Sequence, residues 1–242
     1  MKTLLLATAA TLALTGGATA ASPMSAAGAR GTAQHVIHAP PPGLVTLYDQ
    51  NIGDAGYGWF SQTLSSYPQY DEYLADDFMV PTGHTWKVKE VDTTGFYYLG
   101  NGGPAHSVNV LFWNDKKGLP DKDSKVVECD NLTPKSGLDT GAFHIKLPKS
   151  CKVHLKGSGT RGTRYWVTVQ ANMDGLNTSG YWAWMQNLTV NNKEAAGYYY
   201  GGGNSVFDPQ CLQQFEPIRD CWNNSAQIDL AFALLGRDSP VD

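Results

Sequence analysis

The groups in this chain able to do chemistry are six histidines, 22 carboxylates and four cysteines. Their spacing matches no catalytic motif. There is no G-x-S-x-G elbow, and Gly157-Ser158-Gly159 lies in a loop without the strand–turn–helix frame a nucleophilic serine needs. The histidines show no H-E-x-x-H zinc pattern. A Ser-His-Asp set can assemble from distant strands, because triads are defined by geometry. His84, His106, His144 and His154 are the candidates in the patterned part of the chain, each in or beside an expected strand, where a hydrogen-bonded structural role competes. Glycosidase chemistry needs two carboxylates across a sugar; Asp71, Glu72, Asp76, Asp77 and Asp92 offer carboxylates, but their spacing selects no pair. No catalytic residue is assigned, and no motif requires a cofactor.

Calcium suits some of these carboxylates better, since it takes six to eight oxygen ligands. Asp49, Asn51 and Asp54 lie close together in a Gly-containing loop, and Asp76 and Asp77 are adjacent. In a strand, one of two adjacent residues points inward, and a buried Asp needs a cation or backbone donors. These five residues are the metal candidates, for a structural calcium. The loop departs from the EF-hand spacing, and the competing arrangement is an Asp that satisfies local amides. His35 and His38 are also potential metal ligands, on a segment whose composition favours simple solvation.

Aromatic side chains are the most suggestive feature: 7 Trp, 12 Tyr and 8 Phe. Tyr181-Trp182-Ala183-Trp184 places both tryptophans on one strand face. Tyr198-Tyr199-Tyr200 runs into three glycines, as at an exposed turn. Flat rings stack on sugars and Tyr hydroxyls add hydrogen bonds. Trp182, Trp184, Tyr198 and Tyr200 are therefore the expected ligand-binding strip, with Gln186, Asn187 and Asn204 nearby; burial in the core is the competing arrangement.

These residues must be positioned by strands. Residues 1–20 read as a signal peptide: Lys2, an apolar run from Leu4 to Leu14, and Ala18-x-Ala20 before the cut. The run is too short to span a membrane, which takes about 20 apolar residues. Removing those 20 residues leaves 222, with 17 basic against 22 acidic side chains. An acidic chain with scattered basic residues has no general attraction for nucleic-acid phosphate. Residues 21–43, rich in Ala, Gly, Ser and Pro, read as a flexible leader. Short alternating segments bounded by Gly, Pro, Asn and Asp then run from Leu44 to Gly236, followed by a polar tail over 237–242. They include Tyr73 to Val80, Trp86 to Val91, His106 to Trp113, Arg164 to Gln170, Gly180 to Met185 and Gln227 to Leu235. The closing segment carries Ile228, Leu230, Phe232 and Leu234 on one face and small residues on the other, as if covered on both sides. No amphipathic helix exceeds about two turns. The pattern predicts one all-β domain over 44–236, a two-sheet antiparallel β-sandwich of jelly-roll type.

Four cysteines in an exported chain point to disulfides. Cys129–Cys151 and Cys211–Cys221 are the expected pairs, because each closes a short local loop. A zinc site would show closer pairs such as C-x₂-C, and none is present.

Ala75-Asp76-Asp77-Phe78-Met79-Val80-Pro81 with Trp86 and Val91 resembles the opening of a group of bacterial secreted β-sandwich domains with a "DDF-x-V-P" strand. Val108 to Asp115 followed by Gly118-Leu119-Pro120 is similar to their hairpin, and Asp229 to Gly236 to their last strand. The resemblance spans roughly 75–236. It implies a jelly-roll-like domain of exported and surface-associated proteins, without implying an activity. Together these features lead to a secreted (or periplasmic) non-catalytic binding or surface-adhesion module, with an extracellular glycan or cell-surface component as partner. The alternatives are a secreted hydrolase acting on polysaccharide or peptide, and a self-assembling extracellular protein. Nothing in the sequence sets the oligomeric state.

Overall fold

A computed structural model of the chain describes residues 29–31, 38–53, 55–99, 103–174, 180–199, 211, 214–221 and 227–240. The signal-peptide reading, His35, Asp54, Tyr200 and Asn204 lie outside the described residues.

Nearly all regular structure is β, in sheets packed face to face, as the alternating pattern predicts. The largest sheet has seven strands in the order Glu216–Pro217, Ala196–Tyr199, Glu72–Val80, Gln62–Leu64, Thr163–Met173, Ser107–Lys116 and Leu119–Leu132. Its pairings are antiparallel except for Gln62–Leu64 beside Thr163–Met173. A five-stranded sheet centres on His84–Thr93, flanked by Phe232–Pro240 on one side and by His144–Lys146 and Val153–Lys156 on the other. A third sheet is built on Tyr181–Asn187, which pairs with Tyr57–Phe60, Gly95–Tyr98 and Asp229–Leu230. The one α-helix among the described residues is the single turn Ile218–Cys221.

The core forms where inward faces meet. Leu74, Phe78 and Val80 of the seven-stranded sheet share it with Val110, Phe112, Val167 and Val169, and with Trp86, Val88 and Val91 of the facing sheet. The hairpin between Ser107–Lys116 and Leu119–Leu132 turns on Lys117 and Gly118, both at positive φ, 59° and 87°. A two-residue turn of that hand matches the twist of paired strands, and glycine at its second position adopts it without a Cβ penalty.

Both disulfides form in the expected pairs, Cys129–Cys151 and Cys211–Cys221. The first is local in sequence, 22 residues apart. In space it ties the edge of the seven-stranded sheet to the turn that leads into Val153–Lys156 of the other sheet. By loop-closure entropy it stabilises by about 3 kcal/mol.

Two boundaries differ from expectation. The closing strand continues past Gly236 to Pro240, pairing with His84–Thr93 as far as His84, so most of the tail belongs to the sheet. The leader also meets the fold: Ala29–Arg30 pairs with Tyr57–Gly58, and His38 lies against His144.

Candidate functional site

The aromatic strip is core, not platform. Trp182 and Trp184 are fully buried, and their indole N–H groups donate to the Gly141 and Ala231 carbonyls at 2.8 and 2.7 Å. Phe143 stacks on Trp182, and Phe232 meets Trp184 edge-on. Tyr198 is buried between Tyr73 and Phe215. The strands that carry these rings are covered on both faces, so no ring plane is left to stack on a ligand. Tyr200 lies outside the described residues.

The four calcium candidates among the described residues, Asp49, Asn51, Asp76 and Asp77, do not converge, and Asp54 lies outside those residues. Asp76 points into the sandwich, where Oδ2 accepts from Gln50 Nε2 at 2.8 Å and the Leu230 amide at 2.6 Å. Its Oδ1 accepts from the Asp77 amide. Asp77 faces the other way, accepting from the Lys193 amide and pairing with Arg164 Nε at 2.6 Å. The adjacent acids thus use both available solutions, one taking N–H donors and the other a cation. Asp229 completes the buried group, accepting from the Asn191 amide. Burial pushes the Asp77 carboxyl up to about 7, against the Lys193 amide and Arg164, and Asp229 up to about 8. Burial and then Asp229 raise Asp76 as well. Asp76 has the most N–H donors of the pair, which favours its ionised form against that burial. Asp49 caps its own turn by accepting from the Asn51 amide, and Asn51 accepts from Thr94. Both Asp76 oxygens are engaged by N–H donors, and Asp229 Oδ1 is the carboxylate oxygen of Asp76 and Asp229 left without a hydrogen bond, so this region is a structural network rather than a calcium site.

The open polar site lies elsewhere, on the outer face of the seven-stranded sheet. Val108, Val110, Val169 and Ala171 point into the core. Their neighbours Ser107, Asn109 and Asn172 therefore point outward. Asn172 pairs across the strands with Thr63 on one side and Ser107 on the other. The result is a row of hydroxyl and amide side chains across four strands, Thr63, Asn172, Ser107 with Asn109, and Asn131. Asn109 and Asn172 exchange amide hydrogen bonds at 2.9 Å in both directions. Asn172 also donates to Ser107 Oγ at 2.7 Å and accepts from Thr63 Oγ1 at 2.6 Å. Its hydrogens and lone pairs are thereby spent on the frame. Asn131, at positive φ, donates its backbone N–H to Asn109 and leaves its side chain exposed.

This row floors an open groove of about 410 Å³, rimmed by Ser65, His106, Asp130 and Asp174. His106 and Asp174 pair across the rim at 2.6 Å. Among the described residues, no Lys or Arg lines the groove. Burial, and then repulsion from Glu128, raises the Asp130 carboxyl above its usual value. The arrangement is a dense array of neutral donors and acceptors at an acidic rim.

None of the groove residues except His106 stands out in the sequence. They come from four strands, and only pairing register gathers them. The alternation at Ser107, Asn109, Gln170 and Asn172 is the signal that could find them, as polar positions opposite a valine-rich face. Comparison with known protein families, with curated proteins and with solved structures found no match.

Proposed function

We propose that this protein is an exported, non-catalytic binding module whose ligand is a neutral, polyhydroxylated chain such as a polysaccharide, held in the groove over Asn172. The observation that carries this reading is the preorganised amide and hydroxyl row spanning Thr63, Asn172, Asn109 and Asn131. Sugar hydroxyls both donate and accept; Asn172 is spent on fixing the frame, and the exposed Asn131 amide with the Ser107 and Thr63 hydroxyl oxygens are the groups held in place to meet them. The acidic rim, with no Lys or Arg among the described lining residues, disfavours sulfated or phosphorylated ligands. Two disulfides and an all-β body are compatible with an extracellular or periplasmic location, and the N-terminal signal pattern supports export.

Binding rests on hydrogen bonds rather than ring stacking, so the affinity expected for an oligosaccharide is modest, roughly 10 μM to 1 mM. The test is titration calorimetry against neutral and sulfated polysaccharides. Neutral chains should bind, and Asn131→Ala, an exposed change, should weaken binding about tenfold while leaving the melting temperature within about 2 °C. Absence of binding to any neutral glycan at millimolar concentration, or equal binding by the variant, would sink the reading.

A further inference from the structure

On the opposite side of the sandwich, a bulge builds a second polar site. Phe232–Pro240 pairs with His84–Thr93 out of step between Leu235 and Gly236, whose partners are Glu90 and Val88. The extra residue reverses the alternation. Trp86 and Val88 face the core before it and Val91 after it, so Glu90 and Asp92 turn to the outer face. Register then sets Asp49, Ala233, Asp92 and His144 in one row across four strands. The small Ala233 leaves a cavity of about 90 Å³, walled by Asp49, Asn51, Asp92 and the approaching His38.

Three potential ligands meet beside this cavity. One ligand atom from each of His38, Asp92 and His144 lies within 4.8 Å of the others. Asp92 and His144 are buried, at 3% and 6% exposure. His38 Nδ1 is shielded from solvent, forms no hydrogen bond, and sits 3.4 Å from Asp92 Oδ2. Tetrahedral zinc with bonds of about 2.0–2.1 Å sets neighbouring ligand atoms about 3.3–3.4 Å apart. His144 Nδ1 contacts Asp92 Oδ1, and the two imidazole rings lie with centroids 4.2 Å apart.

The surroundings fit a metal as well. Glu90 Oε2 is buried without a hydrogen bond, 3.5 Å from His144 Nε2. Lys135 holds the other Glu90 oxygen at 3.0 Å and lies 3.2 Å from the same His144 nitrogen. Without an ion, His144 Nδ1–H donates to Asp92 and Nε2 accepts from the Lys135 ammonium. With an ion on Nδ1, the ring proton moves to Nε2 and points at the orphaned Glu90 oxygen. A carboxylate behind a ligating imidazole is the usual way its tautomer is fixed.

We infer that His38, Asp92 and His144 bind one zinc ion, or a similar first-row divalent ion, with Glu90 as the positioning residue behind His144. The adjoining cavity has room for a water, and Asn51 and Asp49 line it, so the ion keeps an open coordination position. The full chain, stripped with EDTA, is titrated with Zn²⁺ alone by calorimetry. One ion per chain is expected, and His38→Ala, outside the sheets, should weaken it at least tenfold, as should Asp92→Asn. Glu90→Gln should weaken it 10- to 100-fold. Long-range ¹H–¹⁵N correlation reads the His144 tautomer, which should pass from Nδ1–H to Nε2–H as zinc is added. Absence of saturable binding below millimolar zinc overturns the assignment. So does equal affinity in His38→Ala, or one-to-one binding with an unchanged His144 tautomer.

Discussion

The acids around Asp76 and those around Asp92 are made of the same residue types and differ in whether the protein has finished with them. Asp76 receives three N–H donors, Asp77 a guanidinium and an amide, and Asp229 an amide. That region is nearly closed, with Asp229 Oδ1 left without a hydrogen bond: its polar groups knit Gln50 and the strands Glu72–Val80 and Asp229–Leu230 into one unit. Around Asp92 the His38 nitrogen and a Glu90 oxygen are shielded yet lack hydrogen bonds, and an open cavity lies alongside. Nearly all buried polar groups are partnered in folded proteins, so an unpartnered set beside a cavity points to something from outside. The difference teaches where to look: Asp76 spends both oxygens on N–H donors, whereas Asp92 and Glu90 meet two histidines beside a cavity.

The sharpest break of that contrast comes from Arg164. Its guanidinium neutralises an Asp77 carboxylate with no exposed side-chain surface. Arg164→Met keeps most of the apolar stem and deletes the charge. Removing one partner of a buried pair costs about 3–5 kcal/mol, because the other is left uncompensated. Urea unfolding at pH 8 should show that loss, and a smaller one at pH 5, where Asp77 can hold a proton. A loss under 1 kcal/mol at pH 8 would mean that the closed region is less tightly knit than its hydrogen bonds imply.

Next in size is the pH dependence. The folded chain retains protons on Asp77 up to about pH 7 and on Asp229 up to about pH 8. The unfolded chain releases them near pH 4. Between those limits the folded state binds more protons, so unfolding free energy falls as pH rises, by at most about 1.4 kcal/mol per unit for each group. Thermal melting should therefore show lower stability at pH 8.5 than at pH 5. Asp229→Asn removes one titrating group, should flatten the slope and should melt higher than the parent at pH 8. A slope unchanged by the substitution would place the proton elsewhere in the cluster.

The contrast between the two regions was only half legible in the sequence. Disulfide partners follow from spacing, and the strands around Phe78, Val110 and Phe232 from alternation. The aromatic strip was misread because Trp182, Trp184 and Tyr198 sit on strands covered on both faces, where alternation carries no inside-outside information. The short strands Tyr57–Phe60, buried at its centre, and Ala196–Tyr199, buried throughout, escaped for the same reason. Asp92 was visible only as one carboxylate among several. A one-residue bulge turns it outward, and that slip is written in pairing with Leu235 and Gly236, far along the chain. His38 looked solvated because its composition is that of a leader, yet its partners come from residues more than fifty positions away.

The smallest expected effect tests the open half of the comparison. In the metal-free chain His38 makes no hydrogen bond through Nδ1, which approaches Asp92 Oδ2 at 3.4 Å while the ring lies over His144. His38→Ala should then change the unfolding free energy by less than about 1 kcal/mol, as for other partly exposed positions outside the core. Zinc alters the comparison: at a concentration 100 times its dissociation constant, an ion bound only by the folded chain adds about 2.7 kcal/mol. The parent should gain that amount and His38→Ala should not, whereas Arg164→Met should gain it in full from its lower baseline, since Asp77 plays no part in holding the ion. Denaturant melts of the three proteins with and without Zn²⁺ check this directly. If His38→Ala is already strongly destabilised without zinc, the site around Asp92 is a structural network like the one around Asp76, and the distinction between the two regions fails.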